Sequence, residues 1–268
     1  MKPPYFIVAL DHRNSLRRLI NPDHPDKVGE KLLYQWKETA LQHLAAAANG
    51  VILDPALGLK AWPTLSSSPR PTLILTLEHS GATVVKGEKI TQADYSVTQL
   101  KNLGAEMVKL LLFYHPRAHS APHQLELASY LAQQASYEQV GFLLEVLPYQ
   151  LPGEKNYSPA AVILESAEKI AALNLPLTIY KAPFPGNEKN CRALTQILPC
   201  PWVLLSWGTP YPQFKKQLEI AAANGAAGFA VGRALWQEFA ALPPLQWADF
   251  FRKTAQPRLE EIKAIFTS

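Results

Sequence analysis

A lysine set in an apolar, β-type run is the residue of this chain best suited to covalent chemistry: Leu177-Thr178-Ile179-Tyr180-Lys181-Ala182-Pro183. An ammonium is costly to desolvate, so burial there favours the neutral amine. A neutral amine attacks a carbonyl and forms a Schiff base. A second lysine, Lys109, lies in Val108-Lys109-Leu110-Leu111, and a glutamate, Glu145, in Leu143-Leu144-Glu145-Val146. A cation near Lys181 favours its neutral form further. A carboxylate in an apolar strand is expected to have a raised pKa, which suits proton transfer near neutrality. Plainer roles stay open for each: Lys181 with its amine in solvent or in a structural ion pair, Lys109 bridging to Asp11 or Glu145, and Glu145 as a counter-ion to Lys109.

Polar groups recur at the ends of the other apolar runs, as Asp11-His12-Arg13, Asp54, Glu78-His79, Ser206 and Gly232-Arg233. Each costs desolvation unless paired, so a bare scaffold has no use for so many. In Gly228-Phe229-Ala230-Val231-Gly232-Arg233-Ala234-Leu235-Trp236, Gly232 lets backbone approach an anion closely. The turn that follows offers N–H groups, and Arg233 a charge. Ser206-Trp207-Gly208 supplies a hydroxyl and further N–H donors. A helix-start salt bridge is the plainer role for Arg233.

Positioning these residues takes an alternation of short strands and helices. Strands are expected over Phe6–Asp11, Val51–Asp54, Thr72–Glu78, Met107–Tyr114, Gly141–Val146, Leu177–Lys181, Trp202–Ser206 and Gly228–Val231. Helices are expected over Asp26–Asn49, Ala93–Leu103, Pro122–Gln139, Pro159–Asn174, Glu188–Leu198, Gln213–Asn224 and Asp249–Phe266, several closed by Gly or opened by Ser and Pro. Gly58–Pro71, with Ser66-Ser67-Ser68, and His79–Gln92 read as loops. Eight near-continuous apolar runs, each followed by helical or turn-rich sequence, predict a (β/α)8 barrel of the TIM type, a single domain over residues 1–268. Such barrels carry their chemistry at the C-terminal strand ends, and often a phosphate after strands seven and eight.

Composition narrows the function classes. The 268 residues are 48% hydrophobic and 18% charged with formal net charge +4, ordinary for a soluble enzyme. No Lys/Arg block suggests a nucleic-acid partner, and no apolar stretch is long enough to span a bilayer. Cys191 and Cys200, the two cysteines, match no metal or redox motif and read as free thiols of a reducing, cytoplasmic setting. No cofactor is expected, since neither a Gly-rich dinucleotide fingerprint nor a Walker loop occurs. No metal is expected either: His115, His119 and His123 are spaced by four, but Pro116 and Pro122 interrupt their common helix. Phe250, Phe251, Ile262 and Phe266 of the last helix suit either the core or an interface between copies.

Taken in order, these residues resemble the class I aldolases of the tagatose-bisphosphate aldolase family, which includes the sulfofructose-phosphate aldolases. The resemblance runs through Val8-Ala9-Leu10-Asp11-His12-Arg13, Val51-Ile52-Leu53-Asp54-Pro55, the strands of Lys109 and Glu145, Ile179-Tyr180-Lys181, Pro201 to Ser206, and Gly232 to Trp236. It implies cleavage of a phosphorylated ketose such as tagatose 1,6-bisphosphate. Lys181 would form the imine, Glu145 shuttle protons, and Lys109 and Asp11 support the charges. Ser206, Gly208, Gly232 and Arg233 would hold a phosphate, with Arg13 and His12 meeting the rest of the substrate. Three positions depart from the family pattern: His12 in place of Gln, Ala182-Pro183-Phe184-Pro185 in place of Val-Glu-x-Pro, and Trp207 in place of a small residue. A sulfonated or deoxy sugar phosphate, or a sugar-phosphate sensor without turnover, are the alternatives these departures leave open.

Overall fold

The computed structural model describes residues 2–66 and 69–267, so Ser67 and Ser68 of the serine-rich loop lie outside the described residues. Eight parallel strands close into a barrel in chain order: β1 (Tyr5–Ala9), β2 (Gly50–Leu53), β3 (Thr72–Thr76), β4 (Met107–Phe113), β5 (Gly141–Leu147), β6 (Ile179–Ala182), β7 (Trp202–Leu205) and β8 (Gly228–Val231). The ring shuts where β8 pairs β1, with Tyr5 opposite Gly228 and Val8 opposite Val231. The architecture is the (β/α)8 barrel expected from the strand pattern.

Side chains alternate along each strand and sort into two apolar compartments. Ile7, Ala9, Ile52, Ile74, Met107, Leu143, Ile179, Val203 and Ala230 fill the barrel. Val8, Val51, Leu75, Val108, Leu144, Tyr180, Leu204 and Phe229 pack outward against the helices. Coverage on both faces is why the strands read as unbroken apolar runs.

The helices match the sequence expectation with local differences that have physical causes. The predicted helix from Asp26 begins properly only at Glu30, after Gly29, and runs to Leu44. The predicted helix from Ala93 starts at Val97, where Ser96 and Gln99 form a reciprocal cap. The last helix is interrupted by a wide turn over Phe251–Ala255 before Gln256–Ala264. Pro257 has no N–H to give, and a widened turn just upstream accommodates it. Phe251 and Ile262 are fully buried, and Phe250 and Phe266 pack partly buried against the same core. The segment expected as loop from His79 holds a hairpin, Thr83–Val85 with Glu88–Ile90. Its two-residue turn, Lys86-Gly87, has positive φ at both positions (50° and 81°), the geometry that matches strand twist. A short helix from Asn14 to Ile20 follows β1.

Barrel closure depends on Gly228. Its φ is +145°, and a Cβ there would lie 2.0 Å from the Tyr5 carbonyl oxygen. Gly228→Ala is therefore expected to cost about 3 kcal/mol or more of stability, read from the urea midpoint. A midpoint equal to wild type would show that the β8–β1 seam tolerates a side chain.

Candidate active site

At the C-terminal mouth of the barrel is a cavity of about 260 Å³ lined by Asp11, His12, Arg13, Arg18, Glu78, Lys109, Glu145, Lys181, Ser206, Trp207, Gly232 and Arg233, among others. The strands build it by simple continuation. The first inward position above the apolar filling of β1, β4, β5, β6 and β8 is two residues further on. These positions are Asp11, Lys109, Glu145, Lys181 and Gly232.

Register then brings opposite charges together. Glu145 is paired with Lys181 between β5 and β6, and Lys181 Nζ donates to Glu145 Oε2 at 2.8 Å. Lys109 reaches the same oxygen at 2.9 Å. It also donates to Asp11 Oδ2 and to Glu78 Oε1, each at 2.7 Å. The second oxygen of Glu78 accepts the Leu111 N–H at 3.1 Å, and Arg13 donates to the Glu78 carbonyl at 2.7 Å. Lys181, Lys109, Glu78 and Glu145 are all buried.

Arg233 has no carboxylate within ion-pairing distance among the described residues, and the buried Ser206 lines the same cavity. A Cβ on Gly232 would meet His12 Cε1 at 2.9 Å, and the His12 ring stands edge-on to Trp236.

Of the residues singled out from sequence, Asp11, His12, Arg13, Lys109, Glu145, Lys181, Ser206, Gly232 and Arg233 line this one cavity. Gly208 does not. It lies behind the Arg233 guanidinium, where a Cβ would come within 3.1 Å of Nη1, so it makes room for that side chain. Glu78 and Arg18 are cavity residues to which sequence reasoning gave no role. Glu78 was visible as a polar strand end, while Arg18 carried no signal in its helix. Asp54, also a polar strand end, turns away to pair with Lys37. Of the three spaced histidines, His115 is buried facing Glu154 Oε2 at 3.3 Å, and His119 and His123 are exposed.

Comparison with known proteins bears on most of the chain. Residues 5–238 match the DeoC/LacD family aldolase model. The chain belongs to the DeoC/LacD aldolase family. It is 24% identical over 260 residues to tagatose 1,6-diphosphate aldolase 1 of Streptococcus mutans, covering 85% of this chain and 79% of that protein. The identity and coverage are the same for tagatose 1,6-diphosphate aldolase 2 of Streptococcus pyogenes. In fold it resembles an archaeal fructose 1,6-bisphosphate aldolase (TM-score 0.67, 20% identity, 96% of this chain and 94% of that one). It also resembles the fructose-bisphosphate aldolase of Slackia heliotrinireducens (TM-score 0.69, 13% identity, 99% and 86%). As a member of this family the protein is a carbon–carbon lyase.

The electrostatics of this aldolase differ from the sequence expectation at Glu145. Burial alone would raise its pKa, but the charges of Lys109 and Lys181 lower it, partly opposed by Asp11. Asp11 behaves likewise: burial pushes up, and Lys109, His12 and Lys181 hold it well below the usual carboxylate range. For Lys109, burial pushes down, but Asp11, Glu145 and Glu78 together raise its pKa well above 10.5. His12 is pushed down to about 3 by burial and by the cations Arg233, Lys37 and Lys181, against the pull of Asp11, so it is neutral at physiological pH.

These shifts set a pH dependence. Folding lowers the proton affinity of Asp11 and Glu145, so their contribution is complete above the ordinary values of 3.8 and 4.5. It is lost as pH falls through the lower folded values. The Lys109 contribution is complete below 10.5 and lost only as pH rises through its higher folded value. Lys109→Met strands buried carboxylates and is expected to cost about 3–5 kcal/mol at pH 7. The gap to wild type should narrow as pH is lowered toward 4, because the freed carboxyls then take up protons. Urea titrations between pH 4 and 8 that show a constant gap would contradict this network.

Proposed function

We propose that this aldolase cleaves a phosphorylated ketose, such as tagatose 1,6-bisphosphate, through a Schiff base at Lys181, giving dihydroxyacetone phosphate and an aldehyde. The observation that carries the reading is the contact of Lys181 Nζ with Glu145 Oε2 at 2.8 Å inside a cavity that Arg233 also lines. A proton leaving the amine has its acceptor already in hydrogen-bond contact. Lys109 keeps its own proton, held by two carboxylates besides Glu145. Lys181 is thus the amine whose reaction leaves the contacts of Lys109 with Asp11 and Glu78 in place.

The neutral amine adds to the C2 carbonyl, and loss of water from the carbinolamine gives an iminium. As the C3–C4 bond breaks, the iminium nitrogen accepts the electron pair and the C4 hydroxyl loses its proton. Glu145, in contact with Lys181, carries protons for these steps. The aldehyde leaves, the enamine is protonated at C3, and water releases dihydroxyacetone phosphate and the free lysine. Lys109 stays charged and stabilises the Glu145 carboxylate between transfers. Ser206, the Gly232 backbone and Arg233 hold the C1 phosphate, and Arg13 and His12 contact the other end. The free thiols Cys191 and Cys200 suit a cytoplasmic enzyme. Among the described residues no helix is long and apolar enough to cross a membrane.

Trp207, 44% exposed at the rim where a small residue is usual, favours a second reading in which the substrate is a sulfonated or deoxy sugar phosphate. A panel of sugar phosphates in a coupled aldehyde-release assay separates the two. Multiple turnover on any of them excludes a sensor role.

Borohydride reduction with dihydroxyacetone phosphate is expected to add one reduced adduct to wild type, mapped by mass to Lys181, and none to Lys181→Ala. An undiminished adduct in that variant would falsify the assignment. Glu145→Gln should lower kcat by about 10²–10⁴-fold. Arg233→Met should instead act mainly through KM, raising it for the phosphorylated substrate by about tenfold or more. Equal loss in kcat and KM from both variants would undo this division of labour.

A further inference from the structure

Lys37 is a fully buried cation that the reaction as described does not use. It lies on the helix Glu30–Leu44, on the stripe of Leu33, Trp36, Ala40, Leu41 and Leu44 that faces the core. An aliphatic residue would fill that position without the cost of burying a charge. Its ammonium has three donors and three partners: the Leu10 carbonyl at 2.6 Å, the His12 carbonyl at 2.9 Å and Asp54 Oδ2 at 2.7 Å. Asp54 is fixed in turn, accepting the N–H groups of Leu57 and Gly58 at 2.9 and 3.1 Å.

The two carbonyls held by Lys37 are those on either side of Asp11. Leu10 still donates its N–H to Ile52 of β2. Beyond β1, it is the Lys37 ammonium that takes up the carbonyls of Leu10 and His12. With both flanking carbonyls drawn toward the helix, the Asp11 side chain is left facing the cavity, 2.7 Å from Lys109 Nζ.

We propose that Lys37, with Asp54 as its counter-ion, is a positioning residue of this aldolase: it clamps the backbone around Asp11 and so aims the Asp11 carboxylate at Lys109. The inference rests on the Schiff-base reading, in which Lys109 steadies Glu145. A displacement of about 1 Å in such a support is enough to slow chemistry by on the order of 10²-fold.

Lys37→Met alone strands the Asp54 carboxylate and is a poor probe. The double variant Lys37→Met/Asp54→Asn removes both charges and keeps one amide oxygen, which can still accept the Leu57 N–H in place of Oδ1, while the longer Gly58 contact to Oδ2 is given up. It is expected to keep native circular dichroism and a cooperative unfolding transition, while kcat falls on the order of 10²-fold. Competitive inhibition by inorganic phosphate, which reads the Arg233 end, should stay within about twofold of wild type, because Lys37 contacts neither Ser206 nor Arg233. Adding Asp11→Asn to the double variant should cost little beyond Asp11→Asn alone, since both act through one carboxylate. A folded double variant with wild-type kcat, losses that multiply with Asp11→Asn, or a double variant that fails to fold would each overturn the clamp. Absence of the Lys181 borohydride adduct in wild type would overturn the Schiff-base reading and the clamp with it. An adduct-forming wild type beside a fully active double variant would overturn the clamp alone.

Discussion

One carboxylate oxygen serves two ammonium groups. Glu145 Oε2 lies 2.8 Å from Lys181 and 2.9 Å from Lys109, all three side chains buried. Two cations so close repel, and the interior offers little water to screen them. The arrangement holds because the anion between them is shared and because Lys109 draws on Asp11 and Glu78 as well. That asymmetry supports the proposed division of roles. Lys109 is held by three carboxylates and Lys181 by one, so Lys109 is the more firmly fixed of the two, and the proposed reaction uses the other. The same pair of cations explains why Glu145 is acidic although it is buried: the cost of desolvating its carboxylate is outweighed by two charges in contact.

The barrel delivers this grouping by period-two alternation. Ala9, Met107, Leu143, Ile179 and Ala230 plug the interior, and the next inward residue on each strand, two further along, faces the cavity. The plug keeps water from reaching the network from below, so polar groups can be exposed on one side only. Register does the rest, setting Glu145 beside Lys181 and Leu143 beside Lys109, one layer lower. The long lysine stem covers that layer difference. A one-residue slip between β5 and β6 would send one partner of the pair outward among the helices.

Much of this was legible in the sequence, for reasons that follow from the fold. All eight strands were visible because two-sided burial leaves unbroken apolar runs, and the site residues stood out as charges in or just after those runs. What escaped depends on non-local contacts. Glu145 in isolation reads as a carboxylate of raised pKa; only its neighbours on β4 and β6 reverse the direction. Glu78 sits two residues beyond the end of β3 and acquires its role through Lys109, a residue of β4. Lys37 was hidden inside a helix that looked ordinary, although a lysine on the stripe of Leu33, Trp36 and Ala40 was itself a signal. The Lys86-Gly87 hairpin turn was readable too, but Val84-Val85 and Lys89-Ile90 are too short to stand out as strands.

The departures from the family pattern line the cavity and a groove beside it. Arg233 is partly buried, and burial lowers its pKa, with Glu145 alone among nearby charges opposing. A guanidinium so placed has unmet demand for an anion. Gly208 leaves room behind it, and Ser206 offers a hydroxyl beside it. Trp207, between these two, adopts φ of 46°, which costs a non-glycine residue about 1 kcal/mol or more, so the surroundings hold it there against its own preference. Trp207 borders both the cavity and a neighbouring groove lined by Pro183 and Phe184, residues of the segment that departs from the family pattern after Lys181. His12, neutral and packed edge-on to Trp236, lines the same cavity just after β1. The amine, its carboxylate and the fixed cation are untouched by these changes. The two groups are nonetheless electrically linked: His12 helps to lower the Asp11 pKa and Glu145 opposes the fall at Arg233, so a change at the departing positions also bears on the charge balance around Lys109.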